Sequence, residues 1–434
     1  MSNILINLLN EKLKPALGCT EPIAIALAGA TAGHYSQGEE IEKIEVYASG
    51  NIIKNAMGVM LPSVNEAGID LAATLGVLSS ANYNTMLEVL KDVDESMVKK
   101  AKEIINEGKL SINLADTDKK LYIEVILTTK KDRTKVVIED NHTNITLIEV
   151  DGKEILQKAG NEDDGEQANI RSSKSESDSL TDKLTLEEIY EFVNMVDVKD
   201  LKIVEESISL NKRISDEGLK NSYGLEVARN ILANIEKGYY HDDIQKVASY
   251  ITAAGSDARM GGAKLAVMSN SGSGNQGIVA TMPVVAVGEK LNLDNDLILK
   301  GVALSHLITI YIKMRFGVLS AFCGAVVAAI GASCGIVYIL GGNLENIEMA
   351  INNMVGNITG MICDGAKPGC ALKVAQVTST AVDSALLSLA WKSVGEMDGI
   401  VTGNAEATLV NFTRLSKEAS TILDEIILDS MLSK

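Results

Sequence analysis

Cysteine carries the most distinctive chemistry in this 434-residue chain, which contains five. Cys363 and Cys370 enclose the short loop DGAKPG, whose glycines and proline allow a tight turn that brings the two sulfur atoms together. The sequence has no CxxC pair, which zinc sites commonly use. Three cysteines from scattered positions suit an iron–sulfur cluster with one iron left open. Two ordinary buried thiols are the alternative, since free cysteine is among the most buried residue types.

Cys19 lies where a helix is predicted to begin. It precedes Thr20-Glu21-Pro22, and a proline in the first helical turn costs no hydrogen bond. The dipole at a helix N-terminus favours a thiolate. The apolar run IAIALAGATAG follows and is predicted to be deeply buried. The pattern therefore indicates either a thiolate delivered to an interior site or a packed cysteine.

The segment Ser269–Gly277 is rich in glycine, serine and asparagine. It lacks the GK[ST] ending of a phosphate-binding loop, and no clear strand is predicted before it, which argues against a dinucleotide site. Its backbone N–H groups and short polar side chains suit a small carboxylate. A plain flexible connection is the alternative. Upstream, Arg259 is interpreted either as a carboxylate clamp or as a solvated surface arginine.

Two further features are candidates for ligand binding. In Gly50–Gly58, the side chains of Asn51, Lys54 and Asn55 recur at helical spacing and could face a ligand. His306 lies in an apolar stretch, where a histidine is either a satisfied core residue or a base.

The formal net charge of -18 argues against nucleic-acid binding, which requires a basic face. The N-terminal run MSNILINLLNEKLK is predicted to form an amphipathic helix without the basic region or cleavage site of a secretory signal. We therefore expect a soluble cytoplasmic protein whose thiols stay reduced.

The uncharged run Gly317–Asn343 is long enough to span a membrane. Its glycine, alanine, serine and cysteine content, without an aromatic belt, favours a buried pair of core helices broken near Gly331. A membrane or scaffold protein without enzymatic activity is the distant alternative.

The fold predicted from patterning is a small α+β module with an antiparallel sheet plus a large all-α domain of buried, glycine- and alanine-rich helices. The predicted divisions are N-terminal helices over 1–39 that pack on the catalytic domain, an α+β module over 40–158, an acidic, serine-rich linker over 159–184 and an all-α domain over 185–434. The linker has almost no large apolar residues. A capping box is predicted at Thr185–Glu188.

Four of these motifs, in this order, resemble the serine dehydratase alpha-chain family and, within it, the L-cysteine desulfidase branch. They are Leu17–Pro22, Ser49–Gly58, Ser271–Gly277 and the pair Cys363 and Cys370. The resemblance runs nearly end to end outside the linker. It implies a [4Fe–4S] cluster used as a Lewis acid and held by Cys323, Cys363 and Cys370, with no assigned role for Cys334.

The resemblance implies an α,β-elimination that converts L-cysteine to sulfide, pyruvate and ammonia. Cys19 would act as the base. A substrate-binding set would hold the amino acid: Asn51, Lys54, Asn55, Ser271, Ser273, Asn275 and Gln276. The short gap between Cys363 and Cys370 favours cysteine, and L-serine dehydration by the same mechanism is the runner-up. A homo-oligomer is left open, and no motif supports Lys264 or Lys373 as a pyridoxal-phosphate lysine.

Overall fold

The structure is a computed structural model that describes residues 2–38, 40–61, 64, 66–157, 184–316 and 320–433. The predicted linker therefore lies almost wholly outside the described residues. The helices of the N-terminal part are α1 (Ser2–Lys12), α2 (Thr20–Tyr35), α3 (Gly50–Ala56), α4 (Ile69–Leu78) and α5 (Glu95–Asn106). The helices after the linker are α6 (Leu186–Met195), α7 (Lys202–Lys220), α8 (Val227–Glu236), α9 (Ile244–Met260), α10 (Gly274–Lys290), α11 (Asn295–Phe316), α12 (Gly324–Ile339), α13 (Leu344–Asn357), α14 (Cys370–Leu389) and α15 (Ala405–Leu432).

Six strands form one sheet in the order β3-β2-β4-β5-β6-β7. They are β2 (Ile41–Ala48), β3 (Leu110–Leu114), β4 (Tyr122–Thr129), β5 (Arg133–Glu139), β6 (Ile145–Val150) and β7 (Lys153–Gln157). The α+β class predicted from the sequence is confirmed, with one difference in the sheet. β2 and β3 run parallel, because the long α4–α5 connection returns the chain to the same end of the sheet, while the other pairs are antiparallel.

A second, two-stranded sheet joins the N-terminal segment to the middle of the chain. Strand β1 (Leu13–Leu17) pairs antiparallel with β8 (Ala266–Asn270), with Leu13 opposite Asn270. Among the described residues after the linker, β8 is the one strand and the other named elements are helices. This strand leads directly into Ser271–Gly277, so the expectation that no strand precedes that segment is wrong. Nothing local predicted β8, because its partner lies about 250 residues away in the sequence.

The two N-terminal helices lie in different cores. α1 packs with α6, α7 and α11 in the helical core. α2 instead lies against α4 and strands β4 and β5 in the core of the sheet. The predicted grouping placed both helices on the helical domain. α2 can serve the sheet because it is apolar on nearly every face and every residue from Pro22 to Ala32 is buried.

The helical part is built by the capping and packing that its sequence predicts. The capping box at Thr185 and Glu188 is confirmed at the start of α6. α12 is buried along its length, as predicted, but it continues unbroken through Gly331. That glycine allows close helix packing rather than a break: a Cβ there would collide with the carbonyl of Ser305 on α11.

Within the described ranges, only α11 is both long and apolar enough to cross a membrane, and 72% of its apolar window is buried inside the protein. Such burial is typical of a core helix. α12, from the apolar run considered above as a span, has 16 residues and falls short of the ~20 that a spanning helix needs.

Candidate functional site

The loops that carry Cys323 and Cys363 lie side by side. The N–H of Cys323 donates to the carbonyl of Met361 at 2.7 Å, and the N–H of Cys363 donates to the carbonyl of Ala321 at 2.7 Å. The intervening residues Phe322 and Ile362 form an antiparallel bridge. This reciprocal pairing places the two thiols close enough to affect each other's pKa, which is raised for Cys323 and lowered for Cys363.

Cys370 closes the same group from the far end of its loop. Gly365 has φ +91, which glycine adopts without strain, and a Cβ there would collide with the carbonyl of Lys54. The loop therefore folds directly onto α3. Cys370 begins α14, and its thiol lies 3.7 Å from the carbonyl of Gly365. Cys19 and Cys370 pack in one small apolar cluster with Val59, Met260 and Ala366.

Three of the four converging thiols lie at helix N-termini. Cys19 is the N-cap of α2, Cys323 is the N-cap of α12 and Cys370 is the first residue of α14. Exposed N–H groups and the helix dipole favour negative charge at these positions. The prediction that Cys19 lies at a helix start is confirmed.

Lysines surround the thiols. The hydrogen bond from Cys323, with the charges of Lys54 and Lys373, holds the pKa of Cys363 below its usual range. Burial lowers the pKa of Lys313 to about 8, although the neighbouring charge of Cys363 opposes this. Asp364 forms ion pairs with Lys367 and Lys373 and so fixes the loop. Lys54 and Lys373 therefore favour a thiolate at Cys363, whereas the neighbouring Cys363, with burial, raises the pKa of Cys323, and burial raises the pKa of Cys370.

Cys19 is paired with an acid from its own motif. Its thiol donates to Oε2 of Glu21 at 3.0 Å, and Nδ2 of Asn55 donates to Oε1 of Glu21 at 3.2 Å. Burial, with the charge of Glu21, raises the pKa of Cys19 well above its ordinary value. Without substrate, Cys19 is therefore a thiol whose hydrogen is directed at a carboxylate.

His142 approaches this acid from the sheet. The C-terminal end of α2 is tied to the β4–β5 turn, since Ser36 donates to Asp132 at 2.6 Å. The β5–β6 turn, which carries His142, lies at the opposite end of β5, where α2 begins. Burial raises the pKa of Glu21, but the charge of His142 and the bond from Cys19 outweigh it and lower that pKa. Nε2 of His142 is buried and has no hydrogen-bond partner among the described residues.

The glycine-rich segment lies against the cysteine loops. Ser273 is the N-cap of α10, and its hydroxyl accepts from the N–H of Gln276. Nε2 of Gln276 donates to the carbonyl of Asn270 at 3.1 Å. Oε1 of Gln276 faces Gly324, next to Cys323, and lacks a partner in the described part of the chain. Ser271 donates to Oδ1 of Asn270 at 2.9 Å.

Arg259 is a buried residue of the site rather than a surface arginine, with 7% of its surface exposed. Its guanidinium donates to the carbonyl of Gly18 at 3.0 Å and to Oδ1 of Asn275 at 3.2 Å. A Cβ on Gly274 would collide with Nε, so this glycine makes room for the arginine. Arg259 thus joins the Cys19 junction to the glycine-rich segment.

The predicted residues of α3 reach the same region. Asn55 contacts Glu21, as described above. Lys54 is 2% exposed and forms an ion pair with Asp424 of α15 at 2.5 Å. Oδ1 of Asn51 is buried and unbonded within the described ranges. The structure therefore brings Lys54, Asn55 and Gln276 next to the cysteine loops or their partners, and Asn275 joins them through Arg259. The assignment of all seven residues to substrate stays a prediction.

His306 is a core histidine with a full set of partners. The amide nitrogen of Asn270 donates to Nδ1 at 3.0 Å, so Nε2 carries the hydrogen, 2.9 Å from Ser207 and 3.1 Å from Thr281. Burial lowers the pKa of His306 to about 3 and keeps the ring neutral. Its role is to hold Asn270, which precedes the glycine-rich segment.

Cys334 lies apart from the other thiols in the middle of α12. It is fully buried, and burial raises its pKa to about 12. It is a core residue.

No group of three or more His, Cys, Asp or Glu side chains within the described ranges is arranged to hold a single metal ion. An iron–sulfur cluster makes a different demand, because each thiolate binds a separate iron and the sulfurs stand further apart. Three free thiols, the lysine charges near Cys363 and the unbonded Oε1 of Gln276 beside Cys323 fit such a cluster.

Comparison with known proteins identifies a family and several relatives of this chain. Residues 84–429 match the family described as serine dehydratase alpha chain. The chain belongs to this family. The activity in the family's name is that of a lyase.

Several relatives extend over the whole chain. A UPF0597 protein of Parabacteroides distasonis is 40% identical over 431 residues, which cover 99% of this chain and 98% of the relative. A UPF0597 protein of Clostridium perfringens strain SM101 is 40% identical over 437 residues, covering 100% and 99%. A third, from Porphyromonas gingivalis, is 38% identical over 434 residues, covering 99% and 98%. The resemblance that the motifs indicated is confirmed.

Sequence reasoning missed two residues of this site and left a third undecided. Glu21 could have been predicted, since it lies two positions after Cys19 in the same motif. Arg259 was weighed but not placed. His142 gave no signal, because the sheet alone brings its turn to the start of α2.

Proposed function

We propose that this chain is an L-cysteine desulfidase, which eliminates sulfide from L-cysteine and yields pyruvate and ammonia. The observation that supports this most is the grouping of Cys323, Cys363 and Cys370 beside a fourth thiol, Cys19. Three of these would hold a cluster and the fourth would act on substrate. The family and the short loop between Cys363 and Cys370 support the same assignment.

A bound [4Fe–4S] cluster would supply an open iron, a Lewis acid that polarises the β-substituent of the substrate. The protein's own residues would do the remaining work. Gln276 would face the cluster through its unbonded Oε1, on the side of Cys323. The charges of Lys54, Lys313 and Lys373 would stabilise the negative charge of the thiolates.

Cys19 is the proposed base. Its thiol, 3.0 Å from Oε2 of Glu21, would first lose its hydrogen to solvent. The thiolate would then take the Cα proton as the bond between Cβ and sulfur breaks and sulfide leaves. The 2-aminoacrylate product would tautomerise and hydrolyse to pyruvate and ammonia. General-base catalysis of this kind contributes ~10²–10⁴-fold to a rate.

L-Serine dehydration is the second candidate, because the matched family is named for serine dehydratase. The same residues would act, with water in place of sulfide as the leaving group. A pyridoxal-phosphate mechanism has less support: Lys373 is ion-paired with Asp364 and Lys264 is exposed.

We also propose a cytoplasmic location, since free thiols and a cluster require a reducing compartment. A small amino acid would be the partner in binding, and the net charge of -18 disfavours nucleic acid. A homo-oligomer stays a prediction.

The test is product release by the anaerobically reconstituted full chain. We expect L-cysteine to give sulfide and pyruvate in equal amounts, at a higher kcat/KM than L-serine gives pyruvate. Pyruvate from L-serine alone would move the assignment to serine dehydratase. A chain that contains its cluster but releases neither product would contradict the proposal.

A further inference from the structure

Two opposite charges flank Cys19 without pairing with each other. Arg259 donates to the carbonyl of Gly18, the residue before Cys19. Glu21, two residues after Cys19, accepts the thiol hydrogen. No ion pair joins Arg259 to Glu21, although both side chains lie at this junction.

Arg259 forms no direct ion pair with a carboxylate in the described part of the chain. Buried charges are normally paired, because an unpaired charge loses its hydration without compensation. Arg259 is 93% buried and its Nε has no hydrogen-bond partner there. Nε is directed at Gly274, the first residue of the 17-residue helix α10. A helix N-terminus and an uncompensated guanidinium together favour an anion.

The carboxylate of Glu21 lies at the same junction, next to Cys19. It accepts hydrogen bonds from Cys19, Thr20 and Asn55. A carboxylate offers about four lone-pair positions, so one remains for a further donor. All three of these donors are neutral and Glu21 forms no ion pair within the described ranges, so its carboxylate can accept a bond from a cationic group.

We propose that Arg259 and Glu21 form a receptor for the two charges of a free α-amino acid. Arg259 binds the α-carboxylate and Glu21 binds the α-ammonium group. The Cα hydrogen then lies next to Cys19. The side chain extends towards Cys370, which packs in the same cluster as Cys19.

This inference rests on the proposed function and specifies its substrate class. A molecule that lacks either α-group loses one of the two charged contacts. Cysteamine has no carboxylate and 3-mercaptopropionate has no ammonium group, so the two thiols separate the contributions of Arg259 and Glu21.

The experiment measures dissociation constants by calorimetry on the full chain, anaerobically and without cluster, so that no turnover occurs. The probes are L-cysteine, cysteamine and 3-mercaptopropionate. The variants are Arg259→Gln and Glu21→Gln. Arg229→Gln is the control, because Arg229 contacts Glu226 and Ser222 at the surface and has no contact with the site. Thermal unfolding of each variant checks that the fold is intact.

We expect Arg259→Gln to raise the dissociation constants of L-cysteine and 3-mercaptopropionate at least ~10-fold, while that of cysteamine changes less than ~2-fold. Glu21→Gln should weaken L-cysteine and cysteamine and spare 3-mercaptopropionate. Equal losses for all three probes, no loss, or no saturable binding of L-cysteine would overturn the proposal.

The outcome is separable from that of the proposed function. If the variants show the expected probe-specific losses of binding but the chain releases no sulfide, the receptor is supported and the desulfidase assignment is contradicted. Sulfide release without these losses would do the reverse.

Discussion

Two buried polar regions meet at Asn270, and they differ in how completely their hydrogen bonds are made. Around His306, each ring nitrogen has a partner, and Ser207 and Thr281 are bonded as well. Around the cysteine loops, buried atoms of Asn51, His142, Arg259 and Gln276 lack partners among the described residues. Native proteins leave few such atoms unbonded. We interpret the first region as a support and propose that the second binds a ligand.

The comparison gives different expectations for mutations only a few residues apart in the chain. A mutation in the region around His306, the satisfied region, should lower the free energy of unfolding. A mutation in the region around the cysteine loops, the unsatisfied region, should alter binding or turnover and leave the fold stable.

The largest effect is expected at the cysteine loops. Cys363→Ala removes a proposed ligand whose neighbours are Cys323, Lys54 and Lys373. Sulfide release from L-cysteine should fall to the level of the cluster-free chain. Cys334→Ala is the matched control, since Cys334 is a buried thiol away from the site, and it should retain wild-type turnover. Equal turnover by the two variants would break the comparison.

Cys19→Ala should reduce kcat by ~10²–10⁴-fold, the usual contribution of a general base. The iron content should stay at the wild-type value, because Cys19 is not a proposed ligand. Parallel measurement of kcat and iron separates the two roles. If the variant lost its iron as well, Cys19 would belong with the ligands.

His306 should make stability depend on pH. Its pKa is about 3 in the folded protein and 6.5 when unperturbed, so the unfolded chain binds more protons between these values. The contribution of the neutral His306 to the free energy of unfolding is therefore fully present above pH 6.5 and is lost as the pH drops towards 3.

Between pH 7 and pH 5 this histidine should cost the wild type ~2 kcal/mol, a loss that His306→Gln escapes. Urea unfolding of both proteins at the two pH values measures it. A constant difference between them would show that His306 does not titrate on unfolding.

The smallest effect on stability is expected at Asn51. Its Oδ1 makes no hydrogen bond within the described ranges, so Asn51→Ala should change the free energy of unfolding by less than ~0.5 kcal/mol. Asn270→Ala is the counterpart in the satisfied region and should cost ~1–3 kcal/mol. Urea unfolding of both variants measures these two changes in the free energy of unfolding. Similar costs would remove the distinction between the two regions.

Local pattern was enough to predict part of this molecule. The N-cap at Cys19, the capping box at Thr185 and the burial of α2 and α12 follow from a few adjacent residues. The four motifs that indicated the family also contain most of the residues that the structure places around the cysteines.

Long-range contacts could not be predicted in the same way. The pairing of β1 with β8, the place of α2 in the sheet core and the approach of His142 to Glu21 each join distant segments. Gly331 suggested a break because glycine weakens isolated helices. Its tertiary role against Ser305 was not visible in the sequence.

The most direct test of the central claim is the count of iron and acid-labile sulfide in the anaerobically reconstituted full chain. The account predicts about four of each per chain. It also predicts that the count falls in Cys323→Ala, Cys363→Ala and Cys370→Ala and is unchanged in Cys334→Ala. A wild-type chain that retains no more iron than Cys363→Ala would contradict it, and the grouped thiols would then be structural.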